Sequence, residues 1–341
     1  MQETRFAIGD VPMSSYLGPQ FRQVDEVQWD ELEARGGFRA GSRPLLVKGA
    51  LSDWPASRRW TFEQLAQLRR ADGSEVVTSF QNGLVEQGVT REPVIQPTAP
   101  YLRALAQAAA DIRADRIDDI GLLPNRRRRE LAPAQSFTLN WEYLKTFRAD
   151  RVYLAQWYIL NEFPQLRADF KIAKLWPGLR WTWEYTFIGP ADTVTGLHYD
   201  FPNNWFCQVS GVKEFVLFPP PQNAHMCKSK KYDWGATLSD IDISRLDEQP
   251  SERARFARAQ GLYARVETGD ALYVPSRTWH AVVSLVPSIS LAVFGLTPWE
   301  VIAGGVPSQT RALLHAMRLY RWGNCTCHKM PVAPTTHRAL T

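Results

Sequence analysis

Four cysteines in 341 residues are too few and too scattered to staple a fold with disulfides. Long apolar runs are also missing: no stretch approaches the roughly 18 uninterrupted apolar residues of a membrane span. The first residues, Met1 to Phe6, lack the basic and then apolar pattern of a secretory leader, so a cytoplasmic protein with no membrane partner is the expectation. An excess of one charge is nearly absent, since 40 Lys and Arg against 35 Asp and Glu leave +5. The one dense basic run, Arg126 to Arg129, follows Pro124-Asn125 and has no interleaved aromatics. It reads as a solvated loop, and a nucleic-acid partner is not expected. Apolar side chains are plentiful: 45% of residues are hydrophobic and 12% aromatic, with 13 tryptophans, enough for a substantial core.

The texture changes along the chain. Glu26 to Arg35 has helical spacing, and Arg43 to Lys48 reads as a short strand closed by Gly49. Thr61 is placed to cap a helix over Phe62 to Arg70, with Gln64 completing a weak capping box. Residues 76–99 suggest strands of a small sheet, Tyr101 to Asp118 an alanine-rich helix, and 119–138 a mobile loop. From about residue 180, short β-rich runs follow one another: Tyr185–Ile188, Asn204–Val209, Val212–Phe218, Leu262–Val266, Ala271–Val274, Ala281–Leu285 and Ile289–Phe294. That rhythm predicts a sandwich or barrel of antiparallel strands. Between Pro219 and Arg258 a polar insertion without periodicity reads as a loop above the barrel mouth, and Pro307 to Trp322 as a closing helix.

Within the β-rich part, His198 and Asp200 stand two residues apart, and His280 follows 82 residues after the first histidine. Residues i and i+2 of a strand point to one side, so His198 and Asp200 can converge on a single ion. Two imidazoles and one carboxylate are the donors that hold a non-haem Fe(II) on one face and leave the other open. Lys213 lies in the otherwise apolar run Val212–Phe218, where an unpaired ammonium is costly to bury and a bound dicarboxylate would supply its partner. Thr195 adds a hydroxyl in the segment leading into the ligands, Gly269-Asp270 form a tight turn, Pro275 ends the strand before His280, and Trp279 is placed to shield one flank of the metal.

Two segments carry a resemblance. Thr195-Gly-Leu-His198-Tyr-Asp200 runs on through Asn204-Trp-Phe-Cys-Gln208-Val-Ser-Gly211-Val-Lys213, and Gly269-Asp270-Ala-Leu-Tyr-Val-Pro275 leads to Trp279-His280. Both resemble the Jumonji C (JmjC) branch of the cupins, in particular the group similar to the asparaginyl hydroxylase that inhibits hypoxia-inducible factor. The upstream Arg43-Pro-Leu-Leu-Val-Lys-Gly-Ala-Leu-Ser-Asp-Trp-Pro-Ala56 resembles the usual opening of these proteins. The resemblance implies a mainly β fold with helical decoration, built on a double-stranded β-helix (jelly roll). It divides the chain into an N-terminal α/β extension (1–135), the catalytic core (136–300) and a C-terminal helix and tail (301–341). It also implies Fe(II) held by His198, Asp200 and His280, with 2-oxoglutarate and O₂ as cosubstrates. Lys213, Thr195, Tyr153 and Asn204 match residues at the 2-oxoglutarate site. The chain departs from the pattern at Phe294, where the relatives carry an asparagine near the cosubstrate.

The activity so implied is hydroxylation of a C–H bond, in an amino-acid side chain of a protein or peptide. A small-molecule tailoring hydroxylase, an N-methyl-lysine demethylase and a non-catalytic cupin-like binding protein are the alternatives. A homodimer through residues 307–322 is also implied. Among the remaining polar residues, His225 and Cys227 read as loop residues of the insertion, and His315 as packed or exposed in the closing helix. Cys325-Thr-Cys327-His328 offers two thiols and an imidazole, but without a second Cys-x-x-Cys the expectation is an exposed tail rather than a zinc site.

Overall fold

In the computed structural model the described residues are 21–81, 88, 93–113, 153–176, 181–191, 193–242 and 249–328. The expected loop 119–138, the arginine run 126–129, the end of the alanine-rich helix and the boundary at 135/136 lie outside them. Fifteen strands form among the described residues. In chain order the first eight are β1 (Phe21–Gln23), β2 (Asp25–Gln28), β3 (Leu45–Lys48), β4 (Val77–Phe80), β5 (Val94–Pro97), β6 (Leu154–Trp157), β7 (Trp181–Gly189) and β8 (Val194–Asp200). The other seven are β9 (Asn203–Ser210), β10 (Lys213–Phe218), β11 (Ala236–Leu238), β12 (Gly261–Val266), β13 (Ala271–Val274), β14 (Trp279–Ser284) and β15 (Ser288–Leu296).

Two sheets face each other, one ordered β1-β12-β10-β14-β8-β11 and the other β2-β3-β13-β9-β15-β7-β6, while β4 and β5 pair separately. Strands that follow one another in sequence sit in opposite sheets (β8 and β9, β9 and β10, β12 and β13, β13 and β14), which is the jelly-roll winding. Because side chains alternate across a strand, each strand gives one row to the space between the sheets and one to an outer face. The inner row is Phe206, Phe215, Leu217, Ala264, Val266, Leu272, Val274, Val282, Ala292 and Phe294. Outside the seven-stranded sheet, Trp54, Trp60, Phe62, Leu102 and Trp176 pack as a second core with Trp205 and Tyr273. Trp54, Trp60, Trp176 and Trp205 are therefore structural.

Several local expectations change. Asp25–Gln28 is extended, pairing in parallel with β3, and the helix begins only at Trp29 and ends at Ala34. Thr61 Oγ1 accepts from the Gln64 amide at 3.2 Å as expected, yet the helix stops at Leu65. There the bonds tighten to Gln67 N on Gln64 O and Leu68 N on Leu65 O, and Arg69 bridges Glu75. The insertion is not simply a loop: it carries β11, which completes the six-stranded sheet on β8, and a helix over Pro250–Phe256. The closing helix spans Val306–Ala316 and breaks six residues early, where Arg318 and Arg321 take left-handed backbone (φ 63° and 49°). No helix among the described residues is long and apolar enough to cross a membrane.

Candidate metal centre and its pocket

Strand register brings the triad together. His280 on β14 is the direct partner of His198 on β8, and Asp200 is two residues further along the same strand. The two imidazole centroids lie 4.3 Å apart, and Asp200 Oδ2 is 3.8 Å from His198 Nε2 and 3.7 Å from His280 Nε2. All three side chains can offer one ligand atom within 4.8 Å of the others. Each ring is oriented by its own backbone: His198 Nδ1 meets the Gly196 carbonyl at 2.7 Å, and His280 Nδ1 meets that of Thr278 at 2.9 Å. Donation from Nδ1 to those carbonyls fixes the tautomer and leaves both Nε2 lone pairs facing the carboxylate.

Burial penalises charge here. It lifts Asp200 to about 6, with His280 opposing and Asp233 adding to the rise. It lowers His280 to about 4, with His198 adding to the fall. Two imidazoles and a carboxyl group in need of a cation are suited to a divalent ion of the Fe(II) kind.

Thr195 would point away from the pocket if β8 were regular, being three residues from His198. Opposite Thr195–His198, however, β14 supplies only Val282 to His280, and this bulge turns both Thr195 and His198 inward. Thr195 Oγ1 and the Tyr153 hydroxyl are 3.1 Å apart, within hydrogen-bond distance of each other. Lys213 begins β10, on the same face as Phe215 and Leu217, and is 6% exposed. Its ammonium lies 5.4 Å from the Phe206 ring centroid and 6.0 Å from that of Phe187. Among the described residues no carboxylate is within ion-pair distance, and burial lowers Lys213 to about 7. Asn204 Oδ1 is likewise buried with no hydrogen-bond partner among the described residues.

All seven sequence-derived residues, Tyr153, Thr195, His198, Asp200, Asn204, Lys213 and His280, line one cavity of about 60 Å³. A space of that size holds a few waters and is too small for a polymer chain. A larger cleft of about 1160 Å³ near Arg22, Arg43 and Pro219 contains none of the triad. Sequence reasoning missed Gln81, Gln156 and Asp233, which also line the small cavity. Gln156 stands out in hindsight only through its left-handed backbone (φ 58°), which sequence does not reveal. Trp279 is a correction: strand alternation turns it to the outer face, where it packs on Tyr199 (4.7 Å, 88°) and donates from Nε1 to Asn223, away from the metal. Phe294 does face the cavity, stacked on Trp183 at 5.7 Å. His225 and Cys227 lie in the insertion outside this cavity.

With this geometry in place, comparison with known proteins is decisive. Residues 33–294 match the model of the cupin-like domain. The chain belongs to that family. The Jumonji C domain-containing protein 5 of Drosophila melanogaster is 30% identical over 155 residues, which cover 43% of this chain and 36% of that protein. The human bifunctional peptidase and (3S)-lysyl hydroxylase JMJD7 is 25% identical over 264 residues, 71% of this chain and 73% of that protein. The tRNA wybutosine-synthesizing protein 5 of Gallus gallus is 24% identical over 252 residues, 74% and 70% respectively. The alignment thus spans little more than a third of the Drosophila protein but most of the other two. JmjC membership and a jelly-roll core agree with the winding seen here.

The C-terminal expectation fails. Cys325 is buried rather than part of an exposed tail, and His315, Cys325, Cys327 and His328 form a second group able to hold a metal.

Proposed function

We propose that this protein is an Fe(II)- and 2-oxoglutarate-dependent oxygenase that hydroxylates an amino-acid side chain of a protein or peptide. The observation that carries the reading is one small cavity shared by a His-Asp-His triad and a buried lysine with no carboxylate partner among the described residues. His198, Asp200 and His280 would hold the metal, and their donor set fits it. When bound, the metal and 2-oxoglutarate supply the oxidising chemistry, coupled to release of succinate and CO₂.

The chain's own residues position and exclude. The Lys213 ammonium holds the distal carboxylate of the diacid, with the Tyr153 and Thr195 hydroxyls and the Asn204 Nδ2 hydrogens as neutral donors beside it. Phe187, Phe206, Phe215, Val282 and Phe294 wall the site and keep water out. Because the inner cavity admits only a small molecule, a peptide would lie outside it. A cleft of about 420 Å³ opens beside it and shares Asp200, Gln156 and Phe294 with it. Its aromatic walls, Tyr158, Trp183, Tyr185 and Trp234, suit one inserted side chain.

Anaerobic Fe(II) with 2-oxoglutarate should give a weak visible charge-transfer band that His198→Ala abolishes. Incubation with a peptide library in air should then give products one oxygen heavier. A wild-type protein without the band would overturn the cofactor assignment, and loss of a methyl group instead of gain of oxygen would replace hydroxylation with demethylation.

A further inference from the structure

From His315, Cys325, Cys327 and His328 we infer a second metal site, a structural Zn(II) centre distinct from the triad and separate from the proposed oxygenase reaction. The helix Val306–Ala316 delivers His315, and the reversed segment 317–324 brings Cys325, Cys327 and His328 back against it. His315 Nε2 is 3.2 Å from Cys327 Sγ and 3.2 Å from His328 Nδ1. His328 Nδ1 is in turn 3.4 Å from Cys325 Sγ and 3.3 Å from Cys327 Sγ. A zinc tetrahedron with ordinary Zn–S and Zn–N bonds has edges of about 3.3–3.8 Å. Four edges of the cluster fall at or just under that range, and all four donors lie within 4.8 Å of one another. Hydrogen bonds among two thiols and two imidazoles do not by themselves demand convergence on one point, whereas a tetrahedral ion does.

The surroundings are built for ligation. His315 Nδ1 donates to the Tyr320 carbonyl at 2.7 Å, which fixes the tautomer and presents Nε2 to the cluster. Tyr232 stacks on the His315 ring at 4.2 Å, and Trp322 on His328 at 3.9 Å, so an aromatic wall limits exchange with water. Between helix and ligands the chain takes left-handed backbone at Arg318, Arg321 and Gly323 (φ 63°, 49° and 79°). Such a reversal is costly for arginines and needs something to hold its ends together. Two thiolates and two imidazoles select zinc over the harder ions.

The site also has a place in the architecture. Tyr232 N donates to Asn324 O at 2.9 Å, Thr326 N donates to Tyr232 O at 3.0 Å, and the Thr326 hydroxyl donates to Asp233. Asp233 lines the triad cavity and its Oδ1 accepts from the amides of Gly235 and Ala236, where β11 begins beside Asp200. A metal at Cys325 and Cys327 therefore pins the insertion to the C-terminal segment and fixes one wall of the cavity.

The test is metal content of the full chain purified without chelator. One zinc per chain is expected, retained in His198→Ala and lost in the double variant Cys325→Ser/Cys327→Ser. Cys327 is exposed, so Cys327→Ser alone offers a second variant that leaves the buried ligands in place. Cobalt substitution should give an intense tetrahedral band in the red and thiolate charge transfer in the near-ultraviolet, weakened in Cys327→Ser. X-ray absorption at the zinc edge needs no variant and should show two sulfurs and two nitrogens. Wild-type protein that takes up no zinc at saturation, zinc that leaves with His198→Ala, or a shell without sulfur would each overturn the assignment.

Discussion

Lys213 and Phe206 face each other across the inner cavity, ammonium to ring centroid 5.4 Å, and the aromatic face stands where a carboxylate would be expected beside a buried lysine. A ring offers a buried cation far less than an anion does, so burial lowers Lys213 to about 7. The unfolded chain holds this proton up to about 10.5, whereas the fold releases it near 7. The unfolded state therefore binds more protons between those values, and the ligand-free protein gains stability as pH rises through that window. A diacid reverses the preference by favouring the ammonium. Binding of 2-oxoglutarate to the metal-loaded protein should take up a proton above pH 7, with affinity falling by up to about tenfold per pH unit. Calorimetry in buffers of different ionisation enthalpy measures that uptake. Lys213→Met should weaken 2-oxoglutarate on the order of 100-fold and abolish the pH dependence. Unchanged affinity in Lys213→Met would remove Lys213 from the site.

The triad makes a separate prediction, because its ligands come from two strands. His280→Ala removes the β14 ligand and leaves His198 and Asp200 on β8. Ferrous affinity should drop by about 100-fold or more while the zinc content of the C-terminal cluster stays constant. Equilibrium dialysis with both metals reads the two sites in one experiment. Parallel loss of both would show that the variant had unfolded, and circular dichroism of the same samples reports that directly.

Much of this arrangement was legible in the sequence. The strands Asn204–Val209, Val212–Phe218 and Ala271–Val274 emerged within a residue or two of their limits, since alternating or wholly apolar runs between turn formers leave little freedom. The triad and Lys213 were legible because a strand's i, i+2 geometry and the cost of a buried ammonium are local facts. Other features depend on register, which a sequence does not display. Trp279 is a different case, since it neighbours His280 on β14 and plain alternation turns adjacent residues to opposite faces. β11 has only three residues, Ala236–Leu238, and forms because β8 offers it an edge. His315 and Cys325 are ten residues apart across three left-handed turns, so no spacing rule for paired ligands anticipated them.

Gly211 joins β9 to β10 and sets the approach to Lys213. Its backbone is left-handed (φ 88°), and a Cβ there would collide with the Pro287 carbonyl and with Ser288. Gly211→Ala meets both the conformational penalty of about 1–2 kcal/mol and a clash with backbone that cannot swing aside. A loss of about 3 kcal/mol is expected. Urea unfolding measures it, and a loss below about 1 kcal/mol would mean that the turn relaxes freely.

Outside the triad cavity, the wall braced by the C-terminal cluster leads into a cleft of about 490 Å³ that carries Lys228, Lys231, Arg277, Arg311 and Arg321 against one acid among the described residues, Asp233. Arg277 spans both regions, its guanidinium 5.3 Å from the Phe201 ring and its amide donating to the Asp200 carbonyl at 2.9 Å. For the peptide hydroxylation proposed above, a cationic approach to an aromatic slot favours acidic residues flanking the one that would be oxidised. Lys228 and Arg311 are exposed and outside the metal and 2-oxoglutarate machinery, so their reversal tests the approach alone. Lys228→Glu/Arg311→Glu should raise KM for an acidic peptide by about tenfold, with kcat and peptide-independent succinate formation unchanged. Raising salt from 50 to 500 mM should reproduce part of that increase in the wild type. Equal KM values for acidic and basic peptides, in the wild type and in the double variant, would show that this cleft does not read charge.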